Sequence, residues 1–337
     1  MKGIHLADMT WLTEDSFQFS QQMGLRYLRM GQPAPEDGEV WSYEELADAT
    51  GRARDHGLEI VALESGLNLT LMTGQPGKER QLECYIRCLE NAKRAGIPIV
   101  GYHFMADTVW RTSFSAPGRA GTKFTAYHDA TAQTGYRESI PTMRQMAGVP
   151  EEKLWENYAY FCENVLPEAQ RIGVKLAMHP DDPPVPQING VHRLFYSVDQ
   201  FKRAWDISGH HPNWGFDLCL GSLSELEGER TVLDMIEYFG PLGCIQYCHF
   251  RDVQGMLGGA HPTGYFQECF MGDGNYNPAK VLVALSRSGF DGYLIDDHVG
   301  DMRGDDPCHR RAHAREIGYM QGLVCMADYL LENGKKA

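Results

Sequence analysis

The stretch GVKLAMHPDDPP, residues 173–184, decides how this chain is read. Val174 to Met178 form an apolar run of strand length. The run ends on His179, Pro180, Asp181 and Asp182, followed by two more prolines. One histidine after a strand is ordinarily a satisfied core or surface histidine. It acquires meaning only if other strands end on similar residues, so the strands must first be counted.

Eight short apolar runs stand out: Gly3–Ala7, Arg26–Met30, Glu59–Leu63, Ile97–Tyr102, Val174–Met178, Trp214–Leu218, Cys244–Cys248 and Gly292–Ile295. Most lead into a helical pattern. SYEELADATGRARDHG opens with Ser42 and Glu45 at capping-box spacing and closes on Gly57. The helical segments that follow close on Gly96, Gly173 and Gly209. NPAKVLVALSRSG has Asn277 as cap, Pro278 at the first helical position and Gly289 at its end. A last helix is predicted over about Ala312–Leu331. This alternation predicts an α/β protein with a parallel sheet, and eight units predict closure into a (β/α)8 TIM barrel. An open doubly wound sheet is the competing architecture, but no G-x-G-x-x-G follows an early strand. The expectation is a single barrel domain over residues 1–337, with a long lid insertion at about 103–150.

Composition narrows the function. The chain has 337 residues, 43% hydrophobic and 23% charged, which is enough apolar material for a large core. A formal net charge of -14 opposes phosphate backbones, so nucleic acid is an unfavourable partner. No run of apolar residues is long enough for a membrane span, and the N-terminal segment does not read as a signal peptide. Nine cysteines lack a framework spacing and read as reduced thiols of a cytoplasmic protein, with Cys84 and Cys88 as packing residues. An assembly of identical chains is left open.

The strand-to-helix links are uneven. Residues 103–150, 179–196 and 249–276 are long, and in a barrel all such links lie on the C-terminal face, where active sites are built. The first, rich in Gly, Pro, Ser, Thr and aromatics, reads as a lid or binding loop. On that face the fifth strand ends at His179, the sixth at Cys219, the seventh at His249 and the eighth at Asp297 and His298. Imidazole, thiolate, imidazole and carboxylate from four consecutive strand ends suit one borderline divalent metal: manganese, iron, cobalt or zinc. Cys248 and Asp296, one residue away from chosen ligands, point to the opposite side by strand alternation. Asp181 and Asp182 read as caps or as supports for the ligands. Glu64, His103, Trp110, Arg111, Arg251 and Glu268 reach the same rim and are candidate substrate contacts. A metal with nearby guanidinium groups suggests a small anionic, oxygen-rich substrate.

At these residues the sequence resembles the mannonate dehydratase family of xylose-isomerase-like barrels. The stretches that carry the resemblance are GEVWSYEEL, VGYHFMADTVWRT, MHPDDPP, DLCLGSLSE, HFRDV and GFDGYLIDDH, spanning about residues 26 to 323. The resemblance implies dehydration of D-mannonate to 2-keto-3-deoxygluconate, with manganese as the usual metal. It implies the same four ligands, His179, Cys219, His249 and Asp297, and makes His298 a catalytic acid/base. The sequence departs from the family pattern at four places. His313 stands where the family carries a catalytic Tyr, and His103 where it carries Asn. DHVGDM lacks the family's Arg, and Phe270 and Met271 occupy the region of a family histidine. His313 is therefore expected to be the acid, titrating near the ordinary imidazole value of about 6.5, and His298 the base, held neutral by the metal charge. Three other readings stay open beside the dehydratase. They are a metal-dependent sugar or sugar-acid isomerase or epimerase on the same scaffold, a non-catalytic sugar-acid binding protein, and a metal-dependent nuclease, which the charge disfavours.

Overall fold

Apolar runs that alternate with amphipathic helices bury both faces only when they lie side by side and parallel under the helices. The computed structural model, which describes residues 3–9, 11–33, 39–105, 109–134 and 146–333, has that arrangement. The strands are β1 (His5–Met9), β2 (Tyr27–Gly31), β3 (Glu59–Gly66), β4 (Ile99–His103), β5 (Lys175–Met178), β6 (Phe216–Asp217), β7 (Ile245–His249) and β8 (Tyr293–Ile295). They close into a barrel in the order β1-β8-β7-β6-β5-β4-β3-β2. Each predicted run supplies one strand. The outer helices are α1 (Glu14–Gln22), α2 (Tyr43–Asp55), α3 (Lys78–Ala95), α4 (Glu151–Ile172), α5 (Val198–Ile207), α6 (Glu229–Phe239), α7 (Pro278–Arg287) and α8 (Arg310–Asn333).

The predicted caps form. Ser42 Oγ accepts from the Glu45 N–H at the start of α2, and Asn277 Oδ1 accepts from Ala279 and Lys280 N–H at the start of α7. Gly57, Gly96, Gly173, Gly209 and Gly289 all take positive φ just past their helices. Cys84 and Cys88 are buried on α3, and all nine cysteines are free thiols. Among the described residues no helix is long and apolar enough to cross a membrane.

The described chain packs as two compact units. The first comprises Met1–Asp8, Trp110–Tyr136 and Leu218–Ala337, and the second Met9–Val109 and Arg137–Asp217. In the second unit β2 to β6 pair in parallel, and Tyr102 lies opposite Met178, so His103 and His179 follow equivalent positions of neighbouring strands. In the first unit β1 and β7 pair with β8 on its two sides.

The long insertion, expected as a lid or binding loop, contains short strands. Residues 106–108 and 135–145 of it lie outside the described residues. Within the remainder, Ser113–Pro117 and Lys123–His128 form a hairpin. This hairpin joins Tyr265–Cys269 and Asp252–Gln254 from the link after β7 in one four-stranded antiparallel sheet. Two links that are far apart in sequence thus satisfy each other's backbone groups. Their Gly, Pro, Ser and Thr content conceals the short strands.

Candidate active site

Three of the four expected metal ligands belong to the first unit. His249 is the last residue of β7, and its Nδ1 lies 3.7 Å from Asp297 Oδ2, just past β8. Atoms that each sit ~2.1 Å from a common ion stand roughly 3–4 Å apart, so this spacing suits two donors of one cation. Cys219 follows β6 and caps the short helix Leu220–Glu227. Its Sγ accepts from Ser222 N–H at 3.5 Å and from Ser222 Oγ at 3.2 Å. N–H and O–H groups aimed at sulfur at a helix N-terminus favour the thiolate, the form that binds metal. The donor chemistry therefore fits a borderline divalent cation.

Arg251 crosses this group, almost wholly buried. Its Nε lies 3.0 Å from Asp297 Oδ2, its Nη1 3.3 Å from Glu225 Oε1, and its Nη2 donates to Ser222 Oγ at 3.1 Å. Gly221 makes room for it, since a Cβ there would come within 2.2 Å of Arg251 Nη1. Behind Arg251 the four-stranded sheet presents Glu268. Glu268 Oε1 accepts from Arg111 Nη2 at 2.8 Å and meets His298 Nδ1 at 2.6 Å. Burial alone would raise the Glu268 pKa, but His298, Arg111 and Arg251 overrule it and hold the carboxyl well below the usual range.

His298 is the partly open member of the set, with a third of its side chain exposed. Its Nε2 lies 3.8 Å from Asp297 Oδ1. The protein's own groups act against the expected depression of its pKa: burial lowers it, but the Asp297 and Glu268 carboxylates outweigh burial and raise it.

Asp296, one residue before Asp297 and just past β8, is buried. Its Oδ2 meets His313 Nδ1, from α8, at 2.5 Å. Asp8, near the end of β1, completes a buried group in which Asp8, Asp296 and His313 each offer a donor atom within 4.8 Å of the others. Burial would lower the His313 pKa, but the charge and hydrogen bond of Asp296 push it up to about 9. That corrects the expectation of an ordinary imidazole. Glu316, one helical turn further along α8, is pushed up to about 7, mainly by burial.

The second unit carries the rest. His179 follows β5; its N–H donates to Tyr102 O at 2.8 Å, and its Nδ1 lies 2.5 Å from Pro180 O. Asp181 Oδ2 accepts from Leu194 N–H at 2.9 Å and Phe195 N–H at 2.7 Å, which ties down the link after β5 and makes Asp181 a backbone cap. Glu64, on β3, is paired with Arg29 of β2. His103 ends β4, half-buried.

Three of the expected substrate contacts have partners within the protein. Trp110 is fully buried and its indole N–H donates to Ala132 O at 3.2 Å, so it supports the sheet. Arg111 and Glu268 are spent on each other. Arg111 also donates to Thr125 Oγ1 at 2.9 Å and Trp110 O at 3.1 Å, and lies over the Phe266 ring. Sequence reasoning missed Asp8, Asp296, Ser222, Glu225 and Gly221. Only Asp296 carried a signal, as a carboxylate one residue from a ligand and turned the other way.

The family model described as "D-mannonate dehydratase (UxuA)" matches residues 30–332. A mannonate dehydratase of Geobacillus thermodenitrificans is 27% identical over 293 residues, covering 77% of this chain and 76% of the relative. One of Thermotoga maritima is 28% identical, covering 77% and 78%. Among solved structures, mannonate dehydratase from Streptococcus suis serotype 2 superposes with a TM-score of 0.84 at 24% identity, covering 96% of this chain and 93% of that one. An L-ribulose 3-epimerase shares the fold with a TM-score of 0.63 at 15% identity, covering 98% and 97%.

Proposed function

The chain belongs to the D-mannonate dehydratase family and is a hydro-lyase acting on a sugar acid, and from that premise we propose that it dehydrates D-mannonate to 2-keto-3-deoxy-D-gluconate, or a related hexonate to the matching 2-keto-3-deoxy acid. His179, Cys219, His249 and Asp297 hold one divalent metal, manganese first, with iron, cobalt or zinc as alternatives. Support for the shared site is the barrel order: β5, β6, β7 and β8 are consecutive, and each of the four residues ends or follows one of them. When bound, the cation offsets the Asp297 charge that raises the His298 pKa and stabilises the negative charge left as the α-proton departs.

His298 is the base. Its Nδ1 is committed to Glu268, so Nε2 takes the C2 proton. His313 is the acid: Asp296 holds its proton up to about pH 9, and that proton goes to the departing C3 hydroxyl. Glu64 and His103 meet the substrate's hydroxyl groups, while Arg251 sets the position of Asp297. The observation that carries the reading is His298 Nδ1 on Glu268 at 2.6 Å with Nε2 beside Asp297. An isomerase or epimerase would use the same base and would also need a proton donor; it is the match to the D-mannonate dehydratase family that favours dehydration.

The chain is read as one cytoplasmic barrel domain, in keeping with nine free thiols, with a small anionic sugar acid as its partner. The test is incubation of the manganese-loaded protein with D-mannonate and a panel of hexonates. A 2-keto-3-deoxy acid is expected; an isomerised acid would replace this reading with the epimerase one, and no turnover would leave a binding protein.

A further inference from the structure

We propose that Glu268 is a positioning residue that fixes the tautomer and aim of His298, and that Arg111 acts through Glu268. The proposal rests on the reading of His298 as the base. A neutral imidazole carries its proton on either nitrogen, and the two tautomers interconvert unless a partner selects one. Glu268 Oε1 stands 2.6 Å from His298 Nδ1. A carboxylate only accepts, so Nδ1 bears the proton and the lone pair falls on Nε2, the atom beside Asp297.

Glu268 itself is held from behind. Arg111 Nη2 donates to the same Oε1 at 2.8 Å, and both side chains are essentially inaccessible. Arg111 is in turn locked by Thr125, Trp110 and the face of Phe266, all on the antiparallel sheet or the turn leading into it. The accessory sheet therefore acts on the chemistry through one hydrogen bond, as partners that orient a catalytic imidazole do elsewhere. No motif or spacing in the sequence points to this role.

The experiment compares Glu268→Gln, His298→Gln and the double variant of the manganese-loaded enzyme, with ¹⁵N NMR of imidazole-labelled protein loaded with diamagnetic zinc alongside; His298→Gln identifies the His298 signals. Gln keeps an acceptor but loses the charge and can also present N–H. Expected are a roughly 10- to 100-fold fall in kcat with KM little changed, and growth of the Nε2-protonated tautomer of His298. The double variant should be no slower than His298→Gln, because the two residues act as one unit. An unchanged tautomer in Glu268→Gln overturns the proposal, as does a loss confined to KM or a double variant slower by the product of the single losses. If His298→Gln keeps parental turnover, the base assignment fails while the tautomer still decides the role of Glu268. Should Glu268→Gln not fold, Arg111→Lys carries the same test: kcat should fall with KM retained, and no further loss should appear on the His298→Gln background.

Discussion

Arg111 and Glu268 meet at 2.8 Å across 157 residues of sequence, each side chain 2% exposed. Removing one partner of such a pair strands a charge where water cannot reach it, at a cost of about 3–5 kcal/mol. Arg111→Met should therefore lower the urea midpoint sharply. Arg111→Met combined with Glu268→Met should recover part of the loss, because no lone carboxylate remains. A single variant as stable as the parent would show that the pair is not buried in solution.

His313 and Asp296 make stability depend on pH. The folded protein holds the His313 proton up to about pH 9, while an unfolded imidazole releases it near ~6.5. The contribution is thus fully present below pH ~6.5 and is lost as pH rises through about 9, amounting to roughly 3 kcal/mol at most. Unfolding free energies measured at pH 6 and pH 9.5 should differ more for the parent than for Asp296→Asn. Turnover should keep its alkaline limit near pH 9 as well. Identical pH slopes in parent and variant would rule the pair out as the cause.

Gly221 is sized for the Arg251 guanidinium. In Gly221→Ala the new methyl would lie 2.2 Å from Arg251 Nη1, so Arg251 must leave Asp297, Glu225 or Ser222. A stability loss of about 1–3 kcal/mol and a clear fall in kcat are expected. Gly318→Ala on α8 is the control: nothing lies within 4 Å of its Cβ, and a helical Gly-to-Ala change should be neutral or stabilising by up to ~1 kcal/mol. Equal effects at the two sites would contradict the steric account.

Cys219 tests the metal site. Cys219→Ala removes the sulfur that Ser222 holds and should lower manganese content after dialysis, read by elemental analysis. Parental metal content and parental turnover together would mean that Cys219 is only a cap.

The barrel and the rim residues were legible because period and position are local properties. Each apolar run alternates with a helical pattern, and His179, Cys219, His249 and Asp297 fall at or just past strand ends. Glu268 was legible only as a residue near the rim. Its partner Arg111 sits on a different link, and no local pattern joins residues 157 apart. The state of His313 was equally hidden, because it depends on an Asp296 side chain that reaches α8 from β8. The short strands Ser113–Pro117 and Lys123–His128 stayed unread because turn-forming residues dominate the link that holds them.

The sheet those strands build makes two links into a single mechanical part. Tyr265 to Gln267 run antiparallel against Ala126 to His128, so the hairpin and the link after β7 share one ladder. Neither can swing outward alone without tearing backbone bonds on both. Ligand entry that needs this region to move must carry the whole sheet, with Arg111 and Glu268 aboard. A displacement of the sheet that takes Glu268 with it also breaks the 2.6 Å contact with His298.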